Sequence, residues 1–240
     1  MTRTVRWVLG IGAVVVVLAV GVVVLLPRSD DSSPPTATNT SAVDPLQKQV
    51  NAPTGTPKIT TRTPFDAQGA PTEGWEVDDK TGSGAIDCSY DEASPSATTD
   101  NILACSPSAA AADSCVAVAN KPAALCLIDP FSTRLTRYAT STVRTTGVRA
   151  PQAPTPIGLI LDDGTTCRLR NGGSWSIQAA NPDYIGYYFC RGTGFQAIWG
   201  PPDGPAIAQQ PDGWTVQFGS DRGPLTKHRV TEAVYVAIQR

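Results

Sequence analysis

The sequence predicts a mainly β fold, an antiparallel sandwich or barrel with one minor helix, carried behind a single transmembrane helix. Three observations lead there. Charge is missing from an apolar run near the N-terminus. Short apolar segments alternate with turn residues over the second half of the chain. All six cysteines lie in residues 88–190. An even cysteine count in an exported segment reads as a disulfide framework.

The first element is Trp7 to Leu26, 20 residues without a charged side chain. At ~1.5 Å per residue such a helix spans roughly 30 Å, the thickness of a bilayer's hydrocarbon core. Arg3 and Arg6 precede it, so residues 1–6 form a short cytoplasmic tail under the positive-inside rule. A cleaved signal would have a shorter apolar core and a small-x-small site. Val24-Leu25-Leu26-Pro27-Arg28 offers none, so a retained anchor is expected.

Residues 27–72 read as a linker. Pro34, Pro35, Pro45, Pro53, Pro57, Pro64 and Pro71 recur too often for a helix or a central strand, and Phe65 is the sole aromatic. Its Thr/Pro clusters suit a tether that could accept O-linked sugars.

The composition changes at Gly74-Trp75, and residues 73–240 read as the extracytoplasmic domain. They hold 13 basic and 17 acidic residues. The whole chain carries a net charge of −2, which gives no general attraction to nucleic acid. Strands are expected at Ile102 to Cys105, Ala124 to Ile128, Ile157 to Leu161, Tyr184 to Cys190, Phe195 to Trp199, Trp214 to Phe218 and Ala233 to Ile238. Asp162-Asp163-Gly164 marks a hairpin of the type I′ class, and Arg191-Gly192-Thr193-Gly194 a second. Ser106 with Pro107 reads as the start of a short helix to Asp113.

Cys88, Cys105, Cys115, Cys126, Cys167 and Cys190 predict three disulfides. Zinc would want C-x-x-C or Cys/His clusters, and neither occurs. Cys167 is expected to pair with Cys190, since both sit close to turns on strands that can be neighbours. The other four leave their connectivity open. Alternation along those two strands puts Arg168, Arg170, Tyr187, Phe189 and Arg191 on the face opposite the bridge. Arginine among aromatics suits a glycan or a peptide, so these five residues form the candidate binding face. Trp175, Tyr184, Tyr188, Trp199 and Trp214 complete the cluster and suit core packing equally well.

Catalytic signals are weak. No G-x-S-x-G, H-E-x-x-H or phosphate-binding loop occurs, and no cofactor or metal motif. His228 is the one histidine. Asp162-Asp163 and Asp78-Asp79 could act as paired carboxylates or bind a cation, but neighbours in a strand point to opposite faces. A turn or a solvated face is the better reading.

The stretch from Leu161-Asp162-Asp163-Gly164 through Cys167-Arg168-Leu169-Arg170 to Gly172-Gly173-Ser174-Trp175, with Gly186-Tyr187-Tyr188-Phe189-Cys190 and Ala197-Ile198-Trp199, resembles uncharacterised exported proteins of mycobacteria and related actinobacteria. The resemblance covers about Cys88 to the C-terminus. It implies export but no activity, and it carries no functional residue across.

The expectation is a non-enzymatic module of the cell envelope that binds an envelope protein or a cell-wall glycan. An envelope hydrolase with an unfamiliar site is the alternative. A sensor is disfavoured by a cytoplasmic tail of six residues.

Topology is directly testable. An alkaline phosphatase fused to the C-terminus should be active in a bacterial host. An inactive fusion, beside an active cytoplasmic reporter at the same position, would reverse the assigned orientation.

Overall fold

The computed structural model describes residues 55–79, 85–89, 92–107, 110–140, 147–170 and 177–240. The membrane helix at 7–26, the tail at 1–6, most of the linker and Trp175 lie outside these. Among the described residues, no helix is long and apolar enough to cross a membrane.

The described residues are mainly β. Thirteen strands run in chain order: β1 (Lys58–Phe65), β2 (Glu76–Asp78), β3 (Cys115–Ala117), β4 (Ala123–Cys126), β5 (Arg134–Ala139), β6 (Gly158–Leu161), β7 (Thr166–Leu169), β8 (Ile177–Gln178), β9 (Asn181–Cys190), β10 (Gln196–Gly200), β11 (Ile207–Gln210), β12 (Gly213–Ser220) and β13 (Thr226–Ile238). Six of them, in the order β13-β6-β7-β9-β10-β12, pair antiparallel throughout, and β12 pairs back to β13. That closure makes a barrel and removes the sheet's free edges. β11 and β8 add to β12 and β9, and β1 adds to β13 in parallel. A second sheet has the order β2-β5-β4-β3.

Three apolar clusters follow. Leu159, Leu161, Leu169, Tyr188, Ile198 and Val216 fill the barrel with Ala233 and Tyr235 of β13. Phe65, Val116, Leu125, Leu135, Val234 and Val236 form a second core. Cys88, Cys105, Cys115, Cys126, Leu103 and Tyr138 form a third. The unbroken apolar run Ala233 to Ile238 therefore belongs to a strand buried on both faces.

The three bridges are Cys88–Cys105, Cys115–Cys126 and Cys167–Cys190, with no free cysteine among the described residues. Cys167 lies opposite Cys190 with Cα atoms 3.9 Å apart. The Arg191 amide donates to the Thr166 carbonyl one step along. The cysteines thus occupy a non-hydrogen-bonded pair, where antiparallel strands approach most closely. Cys115 and Cys126 do the same, flanked by the Leu127 to Ser114 hydrogen bond.

Several expectations are corrected. Residues 27–72 are not all linker, because β1 lies within them. It tolerates Pro64 because the register with β13 slips between Arg62 and Phe65, while the Pro64 carbonyl still accepts the Thr72 amide on the other side. The described part of the Ser106–Asp113 segment holds a 3-10 position at Ala110, whose amide donates to the Pro107 carbonyl, rather than a helix running to Asp113. Ser106 exchanges backbone hydrogen bonds with Asp87 beside the Cys88–Cys105 bridge, and Ala111 has φ of 52°. Ile102 to Cys105 makes isolated bridges rather than a strand. The first hairpin is not type I′. Only Gly164 has positive φ; the Gly164 amide donates to Leu161 and the Leu161 amide to Thr165, a type I turn closed by a glycine bulge.

Phe65 is fully buried in the second core. Phe65→Ala should cost about 3–5 kcal/mol in urea unfolding. A cost below about 1 kcal/mol, the range of surface substitutions, would return β1 to the linker.

Candidate functional site

Strands β7 and β9 lie side by side, so alternation brings Arg168, Arg170, Tyr187, Phe189 and Arg191 to one outer face of the barrel. Their surroundings divide them. Arg168 is turned into the protein. Its Nε donates to the Ile128 carbonyl, its Nη atoms to Leu169 and Ala111 carbonyls at 2.7 and 2.8 Å, and Nη2 to Asp113 Oδ1 at 2.6 Å. Asp113 is nearly inaccessible, and its Oδ2 has no hydrogen-bond partner among the described residues. Desolvation pushes the Asp113 carboxyl above its ordinary range, against the opposing charge of Arg168. Burial likewise raises the Tyr138 phenol, again opposed by Arg168. Arg168 is therefore a structural tie and leaves the candidate face.

Arg191 pairs with Asp129 at an exposed position, an arrangement worth little stability. Arg170 remains at the surface with its guanidinium 4.9 Å from the Phe189 ring centroid. Phe189 is 44% exposed and packs edge-on against Phe195 at 5.1 Å. Tyr187 is the extra residue of a bulge, because Ile198 pairs with Tyr188 while Trp199 pairs with Gly186. Its hydroxyl faces the Pro201, Pro202 and Gly204 carbonyls, nearest at 2.7 Å. Burial, then the Asp203 charge, raises the Tyr187 phenol, so it stays a donor at neutral pH.

These contacts shape a groove of about 420 Å³. Arg170, Tyr187 and Gln209 supply polar groups, and Pro154, Pro156 and Pro205 supply apolar wall. The Tyr188 hydroxyl, buried in the barrel, donates to the Pro156 carbonyl at 2.9 Å and fixes one wall. Tyr187 fixes the other through the 201–204 loop. The prolines, Gln209 and Phe195 were not among the sequence candidates. Only the spacing of Pro151, Pro154 and Pro156 hinted at a rigid extended wall. Of the aromatic cluster, Tyr188 and Trp199 are core, with Trp199 Nε1 donating to the Gly219 carbonyl at 2.9 Å.

A second hollow of about 450 Å³ contains Asp66, Asp100 and Arg240. Its carboxylates already serve the backbone: Asp66 Oδ1 accepts from Gln68 and Ala70, and Asp100 Oδ1 from Ala150.

His228 lies elsewhere, on β13. Its Nδ1 is 2.8 Å from Asp162 Oδ1 and its Nε2 3.1 Å from Thr226 Oγ1. This carboxylate–imidazole–hydroxyl chain is the one arrangement that favours the hydrolase alternative. The hydroxyl, however, donates to the Phe218 carbonyl at 3.2 Å. The Phe218 carbonyl therefore competes with Nε2 for the hydroxyl proton.

No family model, curated protein or solved structure matches the chain.

Two outcomes test the role given to Arg168. Arg168→Ala should cost about 3–5 kcal/mol, the penalty for leaving a buried partner charge unpaired. The Asp113 pKa lies above its unfolded value of 3.8. The stability contributed by its protonated form is therefore full below that value and lost as pH rises through the folded pKa. The stability of the wild type relative to Asp113→Asn should thus fall as pH rises from the unfolded value of 3.8 through the raised folded pKa. Urea unfolding across that range checks it, and a rise would reverse the assignment.

Proposed function

We propose that this chain is a membrane-anchored binding module of the cell envelope, with the β domain on the oxidising side. In this reading the groove at Arg170 and Tyr187 takes an extended segment of a partner protein. Three disulfides support an oxidising compartment. The apolar run at 7–26, with Arg3 and Arg6 before it, supports the anchor and a cytoplasmic N-terminus.

The groove carries the functional reading. Its walls are more apolar than polar, with Arg170, Tyr187, Thr155 and Gln209 as polar side chains. That balance suits an apolar peptide segment bearing a carboxylate more than a glycan, which needs many convergent hydrogen bonds. Arg170, held against Phe189, is the group that would meet the carboxylate.

A photo-crosslinking residue at Gln209, inside the groove, should capture a protein in the native envelope. The same residue at Lys227, outside the groove, should not. A charge-assisted hydrogen bond contributes about 1.5–3 kcal/mol, so Arg170→Ala should weaken that partner about 10- to 100-fold while leaving the melting temperature in place. Equal capture at both positions, or capture of glycan alone, would overturn the peptide reading.

A further inference from the structure

The tip of the β6–β7 hairpin carries a second site, independent of the groove. Asp162 and Asp163 sit in a turn, not a strand, so strict alternation does not separate them. Both carboxylates reach His228. Its Nδ1 is 2.8 Å from Asp162 Oδ1 and 3.9 Å from Asp163 Oδ2. One donor atom from each of the three residues lies within 4.8 Å of the other two.

The remaining heteroatom of each side chain is held from outside the trio. Asp162 Oδ2 accepts the Arg229 amide at 3.2 Å, and Asp163 Oδ1 accepts the Thr165 amide at 2.9 Å. His228 Nε2 lies 3.1 Å from Thr226 Oγ1, which can accept from it while its own hydroxyl donates to the Phe218 carbonyl. Phe218 packs edge-on against the imidazole at 5.2 Å, which restrains the ring. An imidazole whose other nitrogen donates to a fixed acceptor is the arrangement that orients metal-ligating histidines. Its Nδ1 faces carboxylate oxygens only, so the space between them calls for a positive occupant, a proton on Nδ1 or a cation.

We propose that Asp162, Asp163 and His228 bind one divalent transition-metal ion through Asp162 Oδ1, Asp163 Oδ2 and His228 Nδ1. One imidazole nitrogen with two carboxylate oxygens suits zinc and its neighbours; calcium and magnesium take oxygen ligands. The side chains of His228, Asp162 and Asp163 are 20%, 31% and 44% exposed, so water completes the coordination. The metal takes the Nδ1 lone pair of the imidazole tautomer that carries its proton on Nε2, and no redox change is involved. The ion joins the β6–β7 hairpin to the start of β13.

The test is a cobalt(II) titration of the full chain without a histidine tag. The chain has one histidine, so a visible absorption band from nitrogen-ligated cobalt has one possible source among side-chain imidazoles. The expected result is saturation at one equivalent, displacement by zinc(II), and a saturable rise in melting temperature. Asp163→Asn retains the oxygen that accepts from Thr165, so its fold is preserved. It should weaken binding at least ~10-fold, the loss that even outer-shell partners of metal ligands produce. His228→Gln should abolish the band. No saturable binding, or binding of equal strength in Asp163→Asn or in a folded His228→Gln, overturns the proposal.

Discussion

The burial of β13 on both faces is the constraint on which the rest of the structure depends. Ala233 and Tyr235 point into the barrel, and Val234 and Val236 point into the second core. The strand also pairs with three others: β12 near its start, β6 in its middle and β1 toward its end. It closes the barrel and at the same time serves as the wall on which Phe65 and the small sheet's Leu125 and Leu135 pack. A one-residue slip would exchange its two apolar sets and misplace both cores. The cost of such a slip fixes the register. That register sets where His228 meets the β6–β7 turn.

The second tie is polar. Arg168 leaves the barrel wall and enters the layer beside it, where three carbonyls and Asp113 receive its guanidinium. A buried ion pair is seldom a net gain over well-packed hydrocarbon, because both charges lose water. Here the fork of donors makes it directional. Loop carbonyls at Ala111 and Ile128 that no strand can satisfy find their partner in one side chain. The Cys115–Cys126 bridge holds one side of this arrangement and the Cys167–Cys190 bridge the other. For Cys167–Cys190, closing 23 residues should stabilise by about 3 kcal/mol in the chain-entropy picture.

Legibility in the sequence followed contact distance along the chain. The β6–β7 and β9–β10 hairpins were readable because each turn is spelled by adjacent residues. The Cys167–Cys190 pair followed from them, since two strands ending at turns could be neighbours. β1 was hidden. Its partner is 174 residues away at Lys58 and Glu232, and Pro64 with the flanking Pro57 mimics a tether. The short helix was read as too long for a related reason. Ser106-Pro107 is a sound local start signal, but the bridge to Asp87 holds that backbone in another conformation. Local propensity loses where long-range pairing has already fixed the backbone.

The candidate site shows how far alternation reaches. The pleat sets Arg168 beside Phe189 across β7 and β9, whereas Tyr187 reaches its position through a bulge. Alternation could not tell which of the candidates meet water, because a face of a barrel is covered or open according to what other segments lie on it. The Ala111 and Ile128 loops cover Arg168. The Pro154–Pro156 and Pro201–Pro205 segments flank Arg170 and Tyr187 without closing over them, and that leaves a groove. The same reasoning explains Asp162 and Asp163. Strand alternation would have parted them, but the glycine bulge at Gly164 takes both out of the pleat. In each case the residues that gather into a site sit where regular strand geometry is interrupted. The bulge at Tyr187 and the turn at Gly164 aim side chains in directions that an ideal strand would forbid.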